Sequence, residues 1–246
     1  QSIELNPLIG QEISLHFSSV IACKHCGKRT KKSYSQGYCY PCMTKLAQCD
    51  LCIMKPETCH FHLGTCKEPE WGQQHCMVDH YVYLANSSGL KVGITRHTQL
   101  PTRWIDQGAC QALPIFKVST RLQSGLVEIA LAKFISDKTN WRAMLKGAPE
   151  PIDMLSKAKE LIPSIQDSLA EIRLKFGDDA ITELDANVQE INYPVQEYLT
   201  KISSFNFDKT PIVSGVLLGI KGQYLIFDKG VINMRKFSSY QISIDY

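Results

Sequence analysis

Three cysteine pairs, each separated by two residues, dominate the first third of the chain: Cys23/Cys26, Cys39/Cys42 and Cys49/Cys52. Two thiolates so spaced can turn back onto one tetrahedral ion. Two such pairs complete a four-thiolate shell with metal–sulfur distances of about 2.3 Å. The run Cys23-x2-Cys26-x12-Cys39-x2-Cys42 has the spacing of a zinc ribbon. Cys49 and Cys52 open a second set of donors, followed by Cys59, His60, His62, Cys66, His75, Cys76 and His80. That is more than one tetrahedral ion can use. The expected second site, a mixed Cys/His one, joins Cys49 and Cys52 to two of Cys59, His62, Cys66, Cys76 and His80, with the pair left open. His60 and His75 read as surface histidines. Zinc is the expected metal, and an iron–sulfur cluster is the alternative for the later cysteines. Disulfides suit a secreted chain. No secretory pattern is seen from Gln1 onward, so a cytoplasmic location is expected. Cys110 stands alone and reads as a small core residue.

Charge marks where a polyanion could lie. The net charge of +3 conceals an asymmetry. Residues 13–49 carry Lys24, Lys28, Arg29, Lys31, Lys32 and Lys45 with no Asp or Glu. Residues 81–147 are net +6 and residues 148–246 net −4. The first two-thirds therefore suit a nucleic-acid backbone, with Lys28, Arg29, Lys31, Lys32, Arg96 and Arg103 as candidate contacts. The acidic last third suits a protein partner instead. No apolar stretch approaches the roughly 18 residues of a membrane span.

The elements that must position these residues follow from periodicity. Ile13, Leu15 and Phe17 alternate with polar residues and predict a strand leading into the ribbon. Residues 21–80 are rich in loops. Tyr81–Ala85 and Leu90–Thr95 read as two strands joined by the turn Asn86-Ser87-Ser88-Gly89, and Leu113–Val118 as a third. A helix starts at Pro101-Thr102-Arg103. A second spans Leu122–Ser136, with Leu126, Ile129, Ala130, Lys133 and Phe134 on the expected buried face. Beyond the linker Gly147-Ala148-Pro149-Glu150-Pro151, Ile152, Leu155, Leu161, Ile165, Leu169 and Ile172 mark an amphipathic helix, interrupted at Pro163 and ended by Gly177-Asp178-Asp179. A short helix is expected at Ala180–Leu184. Strands are then predicted at Ile202–Phe207, Ile212–Ile220, Gln223–Phe227, Val231–Arg235 and Tyr240–Ile244, closing a small antiparallel barrel. The fold class is α+β, in four stretches: a zinc-binding module (1–80), a small α/β module (81–147), a helical segment (148–200) and the barrel (201–246).

Tyr81-Val82-Tyr83-Leu84 followed by Leu90-Lys91-Val92-Gly93-Ile94-Thr95 resembles the two-strand signature of the GIY-YIG endonuclease superfamily. The resemblance continues through Arg103, Glu128 and Asn140 and covers residues 81–145. It is greatest to the phage-type branch, whose second motif commonly reads Lys-Ile-Gly. Tyr83 matches the tyrosine of the first motif, Gly93 the glycine of the second, Arg103 the arginine of the first helix and Glu128 the metal-binding glutamate. Tyr81 stands where the superfamily has glycine, and Lys91 where it has its second tyrosine. The whole chain, including Gly37-Tyr38-Cys39-Tyr40-Pro41-Cys42, resembles an uncharacterised bacterial family, domain of unknown function 2797.

The resemblance implies a divalent-metal-dependent endonuclease built on Tyr83, Lys91, Arg103, Glu128 and Asn140. The chemistry is consistent with those side chains. A carboxylate such as Glu128 can hold Mg²⁺ or Mn²⁺ and leave water on it. An arginine fork such as Arg103 can grip two phosphate oxygens. Tyr83 could act as general base if Lys91 and the metal lowered its pKa. Two other readings stand beside this one. The chain could be a zinc-dependent DNA- or RNA-binding adaptor on a silent nuclease fold, which the lysine at position 91 favours. It could also be an iron–sulfur or redox protein that uses the surplus cysteines.

Overall fold

The computed structural model describes residues 3–246. In chain order the strands are β1 (Glu12–Ile21), β2 (His80–Asn86), β3 (Leu90–Arg96), β4 (Gln111–Val118), β5 (Ile181–Glu183), β6 (Gln189–Glu190), β7 (Ile212–Lys221), β8 (Tyr224–Phe227), β9 (Gly230–Asn233) and β10 (Tyr240–Asp245). The α-helices are α1 (Tyr40–Lys45), α2 (Leu51–Met54), α3 (Pro69–His75), α4 (Thr102–Asp106), α5 (Arg121–Ala132), α6 (Trp141–Met144), α7 (Met154–Ser164) and α8 (Gln166–Phe176). The fold is mixed α+β with antiparallel sheets. It divides into two compact units, each discontinuous in sequence. No helix among the described residues is long and apolar enough to cross a membrane.

The first unit holds the chain up to Lys45, Leu145–Gly147 and Asn192–Tyr246. Its sheet runs β10-β1-β7-β8-β9. The alternation read at Ile13 and Leu15 is that of β1, which buries both against Val213, Leu217 and Phe227. β1 lies between β10 and β7, so the N-terminal strand completes the C-terminal sheet. The pairing path is open from β10 to β9, so the expected closed barrel is not formed. Residues 202–207 also form no strand. They touch the sheet through the bridge Ser204–Val231, and Phe207 fills the core. Their apolar alternation supplies packing without a ladder of hydrogen bonds.

The second unit holds Leu46–Met144 and Ala148–Ile191. Its sheet runs β3-β2-β4-β5, with β6 also on β4. Asn86 folds the β2–β3 turn by accepting the Gly89 N–H on Oδ1 at 3.2 Å. Helix α5 starts at a capping box, in which Thr120 and Gln123 satisfy each other's backbone N–H groups. Its buried face is Gln123, Ser124, Val127, Ala130 and Leu131, while Ile129 and Phe134 are exposed. The face predicted from the apolar spacing is therefore rotated, because small and polar residues pack where the helix meets neighbouring backbone. Pro163 sits inside α7, and the helix breaks at Ile165 before α8 begins. The helix expected at 180–184 is instead the edge strand β5, whose Ile181 pairs with Val118.

Candidate functional site

The first cysteine quartet is built from two knuckles of the first unit. Gly27 closes the first knuckle at φ +71, a left-handed conformation that glycine adopts without strain, and its N–H reaches the Cys23 carbonyl at 2.8 Å. The second knuckle opens α1, which carries Cys42. The sulfurs of Cys23, Cys26, Cys39 and Cys42 all lie within 4.8 Å of one another. Cys26 and Cys39 approach to 3.7 Å. Four sulfurs about 2.3 Å from one tetrahedral ion stand about 3.8 Å apart, so the quartet fits zinc. Burial raises the Cys23 thiol, but amide groups of Cys26, Cys39 and His25 outweigh it and bring the thiol down to about 6. Burial and the neighbouring thiols push Cys42 up to about 12. Of these two thiols, Cys23 is readily ionised, and a bound cation would favour ionisation of Cys42. Lys28, Arg29, Lys31 and Lys32 are all exposed on the loop between the knuckles.

The second set of donors converges in the second unit. Cys52, Cys59, Cys66 and Cys76 line one cavity with Asp50, His60 and Lys67. Asp50, Cys52 and His60 form a compact group of donors. Neither the cavity lining nor that group includes Cys49, His62 or His80. His62 is exposed. His80 is wholly buried, with Nδ1 donating to the Val78 carbonyl at 2.7 Å, and burial pushes its pKa down to about 4. His75 stacks on Trp71 with ring centroids 4.2 Å apart, while His60 lies in the site. Cys59 and Cys76 are hydrogen-bonded, which lowers the Cys59 thiol to about 6 and raises that of Cys76.

A polar cluster lies on the β2–β3 hairpin. Tyr83 on β2 pairs with Gly93 on β3. A Cβ on Gly93 would stand 2.6 Å from the Tyr83 hydroxyl and 2.7 Å from Cζ, so the glycine makes room for the phenol ring. The ring packs edge-on against Trp104. The Tyr83 hydroxyl donates to Gln107 Oε1 at 3.1 Å, and Lys91 Nζ donates to the same oxygen at 2.5 Å. Arg103 interacts electrostatically with both Tyr83 and Lys91, and so does Glu128. Four of the five residues expected to act together are therefore brought together, from β2, β3, α4 and α5. Asn140 has a different setting: its Oδ1 accepts the Ala143 N–H, and its own N–H donates to Ser88.

The electrostatics of this cluster are unusual. Tyr83 is fully buried, and burial pushes its pKa up to about 12, opposite to what a general base requires. Burial brings Lys91 down to about 8, with Arg103 acting in the same direction. Burial, then Asp137, raises Glu128 to about 7, against the pull of Arg121 and Arg103. A buried carboxylate facing further acidic groups favours a proton or a cation.

Sequence reasoning missed Gln107, Asp137, Asp50, the role of His60 and the contact of Arg121 with the cysteine-bearing segment. Some signals were available. Gln107 lies four residues after Arg103, and Arg121 lies seven before Glu128, so each pair shares a helix face. Arg121 donates to the carbonyls of Cys52 and Ile53 at 3.3 and 2.6 Å. A Cβ on Gly125 would lie 2.4 Å from the Glu57 amide nitrogen. The cysteine-bearing segment thus docks on the helix that carries Glu128.

A family model described as Protein of unknown function (DUF2797) matches residues 10–242, and the chain belongs to that family. No curated protein and no solved structure matches it.

Proposed function

We propose that this member of the DUF2797 family is a zinc-containing nucleic-acid-binding protein whose second unit hydrolyses phosphodiester bonds. The observation that carries the reading is the convergence of Lys91, Arg103 and Glu128 around the buried Tyr83–Gln107 pair. An antiparallel hairpin, a short helix and a longer helix supply them in the order of the GIY-YIG signature. Glu128, with Asp137 close by, suits Mg²⁺ or Mn²⁺, which would neutralise charge on the phosphate and on the leaving oxygen. Arg103 would hold the non-bridging oxygens. Lys91, brought down to about 8 at the position where the superfamily has its second tyrosine, would accept a proton in the fraction that is neutral, which grows as pH rises towards 8. Tyr83 positions Lys91 through Gln107 and takes no proton itself. The exposed cations between the knuckles would grip the backbone, in DNA or RNA.

The binding-only reading is favoured by one observation: Lys91 is 5% exposed and already donates to Gln107. The test is incubation with single- and double-stranded DNA and RNA in Mg²⁺ or Mn²⁺, beside Glu128→Gln. Cleavage by the parent alone supports the hydrolytic reading. Salt-sensitive binding without cleavage by either protein favours the adaptor.

A further inference from the structure

We propose that Asp50, Cys52 and His60 hold a second zinc ion, which staples the cysteine-bearing segment into the shape that docks on α5. The site lies in the second unit, apart from the first quartet, and stands whether or not the chain cleaves nucleic acid. Its ligands are not those that the C-x2-C spacing suggests, since Cys49 is outside the donor group and outside the cavity lining.

One donor atom from each of the three residues lies within 4.8 Å of the other two. Cys52 and its two partners line one cavity, with room for about one water-sized occupant. Zinc takes oxygen and nitrogen at about 2.0–2.2 Å and sulfur at about 2.3 Å, so tetrahedral donors of these kinds stand about 3.3–3.7 Å apart. His60 Nε2 is 3.9 Å from Asp50 Oδ1. That is too long for a hydrogen bond and close to the spacing of two ligands on one ion. Thiolate, imidazole and carboxylate together suit zinc. The fourth position faces the cavity, where water or the Cys66 thiol fills it.

The outer atoms of two ligands are already held, as metal ligands require. Thr65 Oγ1 donates to the His60 carbonyl at 3.3 Å and meets His60 Nδ1 at 2.7 Å. A hydroxyl has one hydrogen. With that hydrogen on the carbonyl, Nδ1 donates to Oγ1, and Nε2 keeps its lone pair for the ion. Lys67 Nζ binds Asp50 Oδ2 at 3.0 Å, and Oδ1 is the oxygen nearer His60.

The ligands bracket the segment that meets α5. Asp50 and Cys52 lie at the start of the four-residue helix α2, and His60 follows the turn Pro56–Thr58. So short a helix does not hold itself. Between the ligands, the Ile53 carbonyl accepts from Arg121, and the Glu57 backbone packs where Gly125 admits it. The ion thus fixes the loop that seats the helix carrying Glu128.

The test is native mass spectrometry of the full chain expressed with zinc supplied, together with zinc K-edge X-ray absorption of the parent. Two zinc ions per chain are expected, falling to one in Cys52→Ser and in His60→Ala and staying at two in Cys49→Ser. Circular dichroism checks the fold of each variant. If the site variants do not fold, the parent's absorption spectrum decides: nitrogen or oxygen neighbours at about 2.0–2.2 Å beside sulfur support the site, and sulfur neighbours alone overturn it. A parent with a single zinc ion overturns the proposal. So do two ions in folded His60→Ala, or an ion lost from folded Cys49→Ser, which would return the site to the C-x2-C pair.

Discussion

Gly93→Ala would drive a methyl group into the fully buried Tyr83. The new carbon would lie 2.6 Å from the hydroxyl, 2.7 Å from Cζ and 3.0 Å from Cε2. Trp104 packs against the ring and its own strand is buried, so a displaced ring meets packed neighbours. Overpacking of this kind costs roughly 1–3 kcal/mol. Displacing the hydroxyl from Gln107 adds about 1 kcal/mol for a buried hydrogen bond. The second unit should therefore lose about 2–4 kcal/mol, a drop in melting temperature of roughly 6–16 °C for a unit of this size. The assay is urea unfolding of a double-mutant cycle. In a Tyr83→Ala background the clash is absent, and Gly93→Ala should cost less than about 1 kcal/mol. The difference between backgrounds is the coupling between the two positions. A Gly93→Ala single variant within about 0.5 kcal/mol of the parent, or an equal cost in both backgrounds, would refute the argument that this glycine exists to seat the tyrosine.

Glu128 holds its proton to about 7 in the folded chain, against 4.5 when unfolded. Between those values the folded state binds more protons, so its stability falls as pH rises. Without divalent metal, Glu128→Gln should therefore stabilise the protein by at most about 3 kcal/mol near pH 8 and leave it unchanged near pH 4. Thermal melts at the two pH values check this, and an equal effect at both contradicts it. Chelation of zinc should open residues 23–42 to protease while β7 and β8 stay protected; unchanged cleavage of the knuckle loop contradicts it. Replacing Lys31 and Lys32 with glutamine should weaken nucleic-acid binding and lower the salt slope by about 1 per cation removed. An unchanged slope would move the contact elsewhere.

What was legible in the sequence was local. The knuckles at Cys23/Cys26 and Cys39/Cys42 need only short turns, and the turn at Asn86–Gly89 is fixed by one side chain. Tyr83 and Gly93 face each other across a tight hairpin, so their pairing follows from register. What could not be read depends on long-range closure. β1 joins β10 across more than two hundred residues, so alternation alone made it an isolated strand beside a separate barrel. The apolar spacing of α5 pointed to Ile129 and Phe134, because it gave no weight to Gly125, which lets backbone approach, or to the buried Ser124. Cys49 fits the pair rule, yet it does not line the cavity that Cys52 enters. Proximity in sequence supplied the donors but not the ligand set.

The proposed reaction places chemistry at Glu128, with Tyr83 as a buried positioning residue. The direct measurement is cleavage of a nucleic-acid substrate in Mn²⁺ by the parent, Glu128→Gln and Tyr83→Phe, each shown to be folded. Cleavage is expected from the parent, none from Glu128→Gln, and retained cleavage from Tyr83→Phe, because the Tyr83 hydroxyl is held too far above neutral pH to serve as base. Cleavage by Glu128→Gln at the parent's rate would contradict it.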